Sequence, residues 1–343
     1  MSDLGPCGVY GGLRVTKTYA VGGIGNAIVD VLCEADDKFL DLMGIQKGIM
    51  QLVERDRGEL LYGAMTNRAE EAGGSVANTL AGLGNLGLKT AFIGRVRDDA
   101  LGQFYADEME GIGCSFVNAP VPEGELPTSR SMIFVSPDGE RSMNTYLGIS
   151  AELGPGDVSD DVAGSCDFIF LEGYLYDKPP GKAAFERAAS LCQAAGGQAG
   201  IALSDPFCAT RHRDDFQRLV RDLDYVIGNH LEWKALYDTE DLDLALGRAM
   251  EECQTVVCTR SGDPVVILRG DERVEVPVTP VTPVDATGAG DQFATGFLYG
   301  LVTERDLEIA GRMGCVSAAE VISHIGPRPA VPLMGLFEDA GLV

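Results

Sequence analysis

From residue 19 onward the chain alternates short apolar, β-prone runs with longer amphipathic segments, a rhythm that limits it to helices packed on a mostly parallel sheet. The runs at 19–24, 91–96, 168–171, 201–203, 225–228, 255–259 and 265–268 read as core strands. Residues 77–86, 102–111, 182–195, 213–223 and 243–252 read as the helices between them. Segments 290–300 and 307–322 are rich in small and apolar residues, which suits tightly packed core helices. Two stretches break the rhythm: GIQKGIMQLVE at 44–54, and TSRSMIFVSPDGERSMNTY at 128–146, where β-prone runs flank the turn signal Pro137-Asp138-Gly139. They predict a small sheet standing off the main one. The expected organisation is a flexible leader over 1–16 and one α/β domain over 17–343, with inserted lid segments at about 38–56 and 118–147.

Charge and cysteine content narrow the partners. The chain carries 27 Lys and Arg against 52 Asp and Glu, a formal charge of −25, and such a surface repels nucleic acid at long range. Only seven of the basic residues are lysines, so positive charge is mostly guanidinium and its placement matters. No apolar run approaches the ~20 residues of a membrane helix, so no membrane partner is expected. The nine cysteines are scattered, odd in number and lack a C-x-x-C pair. Neither a disulfide framework nor a zinc site is signalled, which fits a cytoplasmic protein.

The sharpest local feature is Asp285-Ala286-Thr287-Gly288-Ala289-Gly290-Asp291, followed by the helix-like FATGFLYGL. Small residues let the backbone turn tightly into a helix start, where free N–H groups and the helix dipole favour an anion such as phosphate. Asp291 is out of place beside an anion unless it takes a proton from an incoming hydroxyl or caps the helix. The segment is neither the P-loop nor the dinucleotide fingerprint.

These residues resemble the second signature of the ribokinase/PfkB family of small-molecule kinases, D-T-x-G-A-G-D, with Ala286 in place of the usual Thr. The resemblance implies a ribokinase-like three-layer α/β fold with a β lid. It also implies Asp291 as catalytic base and an anion hole built from Gly288, Ala289 and Gly290. Gly22–Val31 (GGIGNAIVDV) matches the family's first strand and loop, which implies Asp30 as the reader of acceptor hydroxyls with Asn26 beside it. Gly73-Gly74-Ser75-Val76-Ala77-Asn78 is similar to the first signature, with Gly73 and Gly74 as a lid hinge and Asn78 as another sugar-hydroxyl contact. Asn78-Thr79-Leu80, LSDPFC at 203–208 and SHIGPRP at 323–329 look more like the adenosine-kinase branch. Adenosine is therefore the first choice of acceptor, with a sugar such as ribose or fructose as the alternative.

Other roles follow from the same resemblance. Tyr174 lies where the nucleoside kinases place a base-stacking aromatic, while Gln51 and Phe134 sit in the lid segments, Phe134 equally suited to a core. Arg141 matches the lid arginine that approaches the phosphates, although a surface pair with Asp138 or Glu140 would also explain it. Arg95 and Arg97 are expected to brace the loop before Asp98. Asn229-His230-Leu231-Glu232 corresponds to the family's N-x-x-E, implying Mg2+ held by Glu232 and Asn229 largely through water; His230 replaces the usual Glu. Thr259, Arg260 and Gly262 match the segment bordering ATP, and His324 with Gly326 could line its adenine. Asp285 and Thr287 could offer oxygens to a monovalent cation such as K+. A monomer or homodimer is expected, acting on ATP and a small-molecule acceptor.

Overall fold

The computed structural model describes residues 17–343, so the leader expected over 1–16 lies outside the described residues. Fourteen strands follow in chain order: β1 (Tyr19–Ile24), β2 (Ile28–Glu34), β3 (Met50–Leu52), β4 (Ala69–Gly73), β5 (Thr90–Ile93), β6 (Cys114–Phe116) and β7 (Ser129–Val135) come first. They continue with β8 (Arg141–Tyr146), β9 (Cys166–Glu172), β10 (Gln198–Ala202), β11 (Tyr225–Asn229), β12 (Thr255–Arg260), β13 (Asp263–Arg269) and β14 (Glu272–Val276). Nine of them form one sheet in the order β14-β13-β12-β11-β10-β9-β1-β5-β6. Every pairing from β12 to β6 is parallel, and the pairings β12–β13 and β13–β14 are antiparallel, so β13 alone runs against the rest.

The main-sheet strands are apolar on both faces because helices cover both. In β9, Phe170 joins one core while its neighbours Ile169 and Leu171 join the other, as the period of two requires. The first core packs the helices Ser75–Asn85, Ala100–Gly111, Ala289–Val302 and Leu307–Val321 through residues such as Leu80, Tyr105, Phe297 and Met313. The second packs Pro179–Ala194, Arg213–Asp222, His230–Tyr237 and Leu242–Glu252 through Phe185, Phe216, Trp233 and Leu246. All the expected main-sheet strands and long helices are present, with ends shifted by a few residues.

The second sheet, in the order β3-β8-β7-β2-β4, is the lid. The β7–β8 hairpin turns at Pro137–Gly139 as the turn chemistry demands, with Gly139 at φ 86. Two of the five strands, β2 and β4, lie outside the segments expected to supply the lid. The reason is local: β1 is followed after only three residues by β2, whose alternating Val29, Val31 and Cys33 are buried against the Asp37–Met43 and Arg55–Ala64 elements of the first core. A segment that reads as a strand-end loop is instead the middle of the lid. Phe134 is fully buried with Phe39 against it, ring centroids 5.4 Å apart, so it is core and not a base contact.

Among the described residues no helix is long and apolar enough to cross a membrane. The eight described cysteines are buried.

Candidate active site

The carboxyl ends of the parallel strands and the inner face of the lid enclose a cavity of about 700 Å3. Its wall draws on five adjacent strand ends: Asn26 after β1, Glu172 of β9, Ser204 after β10, Asn229 of β11 and Thr259 of β12. Open α/β sheets bind ligands in this place because the strand-to-helix loops and helix N-termini converge there.

Asp291 stands in the first turn of the Ala289–Val302 helix and lines the cavity. Gly288 is its N-cap at φ 78, a left-handed conformation, and a Cβ there would come 2.6 Å from the Pro327 carbonyl oxygen. Only glycine fits both demands. The Asp291 carboxylate accepts from Ser75 Oγ at 2.6 Å and from Asn78 Nδ2 at 3.1 Å, both in the first turn of the Ser75–Asn85 helix. Two helix N-termini therefore meet at one carboxylate. Burial pushes the Asp291 carboxyl up to about 6 against the pull of its two donors, which suits a base working near neutral pH. Gly288, Ala289 and Gly290 line the same wall. The Ala289 amide donates to the Ala286 carbonyl at 3.3 Å, while the Gly288 and Gly290 amides stand at the helix start, where a regular helix supplies no carbonyl of a preceding turn.

On the other side of the cavity lies Asp30 of β2, which burial pushes up to about 7, opposed by Arg141 and Arg328. A Cβ on Gly73 would meet its Oδ2 at 2.5 Å, so the glycine at the end of β4 is what lets the carboxylate lie there. Gly74, at φ 103, takes the left-handed turn into the Ser75–Asn85 helix, and a side chain there would strike the Asn26 carbonyl. Asn26 is 4% exposed, and its polar atoms are already engaged. Its Nδ2 donates to Glu172 Oε1 at 2.6 Å and its Oδ1 accepts from Ser150 Oγ at 3.0 Å. Glu172 also accepts from the Asn26 and Val76 amides, so it caps the Ser75–Asn85 helix from a different strand, and burial pushes its carboxyl up to about 7. Tyr174 follows on the turn after β9, 37% exposed into the cavity, its hydroxyl donating to the Ser204 carbonyl.

At the far end, Asn229 and Glu232 close a reciprocal capping box. Asn229 Oδ1 accepts from the Leu231 and Glu232 amides, while the Glu232 oxygens accept from the Asn229 amide at 2.7 Å and from its Nδ2 at 2.6 Å. Burial, aided by the nearby Asp205, pushes the Glu232 carboxyl up to about 7. Asn229, Glu232, Asp205 and Thr259 all line the cavity. His230 does not; its Nδ1 is buried without a hydrogen-bond partner. Arg260, Gly262 and His324 stand apart from it as well. Arg260 turns to the Pro264 carbonyl and Glu275, and His324 bonds Glu320 and the Ile325 carbonyl. Gly326 instead donates its amide to Asp285 Oδ2 at 3.1 Å.

Arg141 and Asp285 pair with each other. Arg141 Nη1 lies 2.8 Å from Asp285 Oδ2, and both side chains are about nine-tenths buried. Asp285 Oδ1 accepts from the Thr287 amide and hydroxyl, so both of its oxygens are engaged within the protein. Burial alone would raise the Asp285 carboxyl, but the Thr287, Gly326 and Arg141 donors together hold it below the usual range. Asp138 pairs with Lys47 instead, not with Arg141. Arg95 pairs with Asp157, and Arg97 donates to the carbonyls of Val121, Glu123 and Leu126, bracing that loop.

Sequence reasoning missed Ser75, Glu172, Met50, Leu52 and Phe207. Met50 and Leu52 line the cavity at 47% and 55% exposure, while Gln51 between them points the other way and bonds Asn144 Oδ1. The period of two in a strand was the available signal.

Parallel strand ends roofed by a small β lid, with a helix N-terminus closing the floor, put this chain in the ribokinase-like class of α/β folds. The pattern of the pfkB family of carbohydrate kinases matches residues 44–334, and the chain belongs to that family. A probable sugar kinase from Rhizobium etli superposes with a TM-score of 0.87 at 42% identity, covering 95% of this chain and all of that one. Adenosine kinase from Sinorhizobium meliloti superposes at 0.86 with 45% identity, covering 94% of this chain and 99% of that one. A sugar kinase of Archaeoglobus fulgidus is 31% identical over 255 residues, 73% of this chain and 98% of its own length.

Membership implies ATP as co-substrate and, as is usual in the family, Mg2+. The donor set at the Asn229 end fits such an ion. Glu232 and Asp205 bring two carboxylates to one wall, close enough that Asp205 raises the Glu232 carboxyl. Magnesium keeps several of its waters and needs only one or two protein carboxylates.

Proposed function

We propose that this kinase phosphorylates the 5′-hydroxyl of adenosine, with ATP as donor, giving AMP and ADP. The observation that carries the reading is the chemistry of this cavity's lining. Besides Asp291, the glycine loop and the Asp30 carboxylate, that lining includes exposed apolar faces of Met50, Leu52, Tyr174 and Phe207. A carboxylate accepts two neighbouring hydroxyls of a ribose, and flat apolar faces suit a heterocyclic base. A free monosaccharide uses the first feature and leaves the second idle.

In this reading Asp291 Oδ takes the 5′-hydroxyl proton as the oxygen attacks the γ-phosphorus. The bond from that phosphorus to the β-bridging oxygen breaks, and ADP leaves with the electron pair. The helix-start amides at Gly288–Gly290 hydrogen-bond the charge that develops on the transferring group. Arg141 adds positive charge from the lid, anchored by Asp285; its buried Nε has no hydrogen-bond partner, which leaves a donor unspent beside the loop. Glu232 and Asp205 would hold the ion, which when bound neutralises phosphate charge. Ser75 and Asn78 orient the base, and the lid excludes water.

The test is a coupled ADP-release assay over adenosine, other nucleosides, ribose, fructose and a sugar acid. The expected result is the highest kcat/KM for adenosine; a higher value for any of the sugars would replace adenosine with that acceptor.

A further inference from the structure

The lid presents one polar row to the cavity, and of its polar members only Asp30 has been given a role. In register across the sheet, Glu71 of β4 pairs with Asp30 of β2, Asp30 with Ser131 of β7, Ser131 with Thr145 of β8, and Thr145 with Leu52 of β3. Residues paired in register share a face, and Asp30, Ser131, Thr145 and Leu52 all line the cavity. The next row toward the Asn26 end brings Ile28, and the row beyond brings Met143 with Met50, all apolar cavity-lining residues. Ser131 and Thr145 thus continue the polar row from Asp30, with apolar Ile28, Met143 and Met50 in the rows on either side.

The two hydroxyls bond to each other, Oγ to Oγ1 at 2.8 Å, and are 1% and 6% exposed. Each hydroxyl carries one donor and two acceptor positions, so a pair sharing one bond keeps one proton and three lone pairs for a ligand. Valine at 145 would fill the same space with less β-sheet penalty than a buried hydroxyl carries, so packing alone does not call for the pair.

Distance from Asp30 says which part of the acceptor meets it. Neighbouring strands lie about 4.8 Å apart, so Ser131 is one strand and Thr145 two strands, about 10 Å, from the Asp30 backbone. A monosaccharide ring held by Asp30 ends near Ser131; a second ring attached to it extends to Thr145 and Leu52. We propose that the Ser131–Thr145 hydroxyl pair hydrogen-bonds the polar edge of the acceptor's heterocyclic base and so sets acceptor specificity. Leu52, Met50 and Met143 cover the apolar face of that base, and the pair supplies the polar complement. The inference rests on the nucleoside reading above and adds the residues that recognise the base.

The experiment compares wild type with Ser131→Ala/Thr145→Val, using adenosine and ribose as acceptors and ATP as donor, with thermal denaturation run on both proteins. Loss of one or two neutral hydrogen bonds raises the adenosine KM about three- to thirtyfold. The expected result leaves kcat, the KM for ATP and the kcat/KM for ribose within about twofold. Thr145→Ser, which keeps the hydroxyl, restores most of the adenosine KM. The proposal is overturned by an unchanged adenosine KM in a folded double variant, or by an equal loss for ribose, which would assign the pair to the sugar. A wild type that phosphorylates ribose better than adenosine would instead defeat the nucleoside reading itself, a result visible before any variant is made. Should the double variant melt, Thr145→Val against Thr145→Ser supplies the same comparison.

Discussion

Arg141 on the lid and Asp285 at the head of the glycine loop form a buried ion pair, 2.8 Å between Nη1 and Oδ2, across 144 residues of sequence. The same Asp285 oxygen accepts the Gly326 amide, and its other oxygen accepts Thr287. Lid, anion loop and C-terminal segment are thereby fastened at one carboxylate.

Removing the guanidinium takes away the fastening and, in the proposed mechanism, a positive charge that serves the transferring phosphoryl. Arg141→Ala is expected to lower kcat about 10²-fold, the usual scale for one donor to developing charge. Arg141→Lys keeps the charge without the fork and recovers part of it. Steady-state ADP release checks both; a loss under threefold for Arg141→Ala would leave the residue a structural tie to Asp285 and nothing more.

Gly73 is a contact requirement more than a flexibility requirement. A methyl group there lands 2.5 Å from Asp30 Oδ2 and 2.6 Å from its Cγ. Gly73→Ala must displace the carboxylate, at a cost of roughly 1–3 kcal/mol typical of overpacking. The acceptor KM is expected to rise about ten- to a hundredfold while the ATP KM stays within about twofold, as measured by varying each substrate in turn.

Stability should fall as pH rises through the range from about 4 to 7. Burial lifts the Asp30, Glu172 and Glu232 carboxyls to about 7 and Asp291 to about 6, above the ~4 of the unfolded chain. In that window the folded state binds more protons than the unfolded one, so this contribution is complete below the unfolded values and gone above the folded ones. Thermal denaturation without substrates is expected to give a higher Tm at pH 5 than at pH 8. Repulsion within a chain of charge −25 acts in the same direction, so the discriminating comparison is Asp30→Asn, whose Tm should drop less over the same interval.

Most of the framework was legible because it rests on short-range pattern. The main-sheet strands announce themselves as buried β-branched runs, and the Pro137-Asp138-Gly139 turn forms the hairpin its chemistry specifies. Asp291 was legible because the small residues before it force a helix start. Other features depend on contacts between distant segments. Arg141 carries several nearby acidic candidates, and nothing in the sequence selects Asp285 over Asp138. Glu172 looks like the polar end of an apolar strand, yet it caps a helix that begins almost a hundred residues earlier. Asp30 and Asn26 share one short motif but face different duties: Asn26 is spent on Glu172 and Ser150, while Asp30 is held open to the cavity by a missing side chain at Gly73. Arg260 and His324 turn away from the cavity, toward Glu275 and Glu320, partners that the sequence does not single out.

With adenosine saturating, kcat should rise with pH through about 6 and level off above it, following ionisation of Asp291. The pH profile of adenosine-dependent ADP release over 5 to 8 checks this, and a flat profile would take the titration away from that carboxyl.

The most direct test is Asp291→Asn, assayed for ADP release with adenosine and for binding of ATP and adenosine by calorimetry. The amide keeps the size of the carboxyl and cannot take the proton. Both ligands should bind within a few-fold of wild type while turnover falls by about 10³-fold or more, within the range set by loss of a positioned general base. Turnover within tenfold of wild type would contradict the assignment of Asp291 as the base, and with it the account of how this site transfers a phosphoryl group.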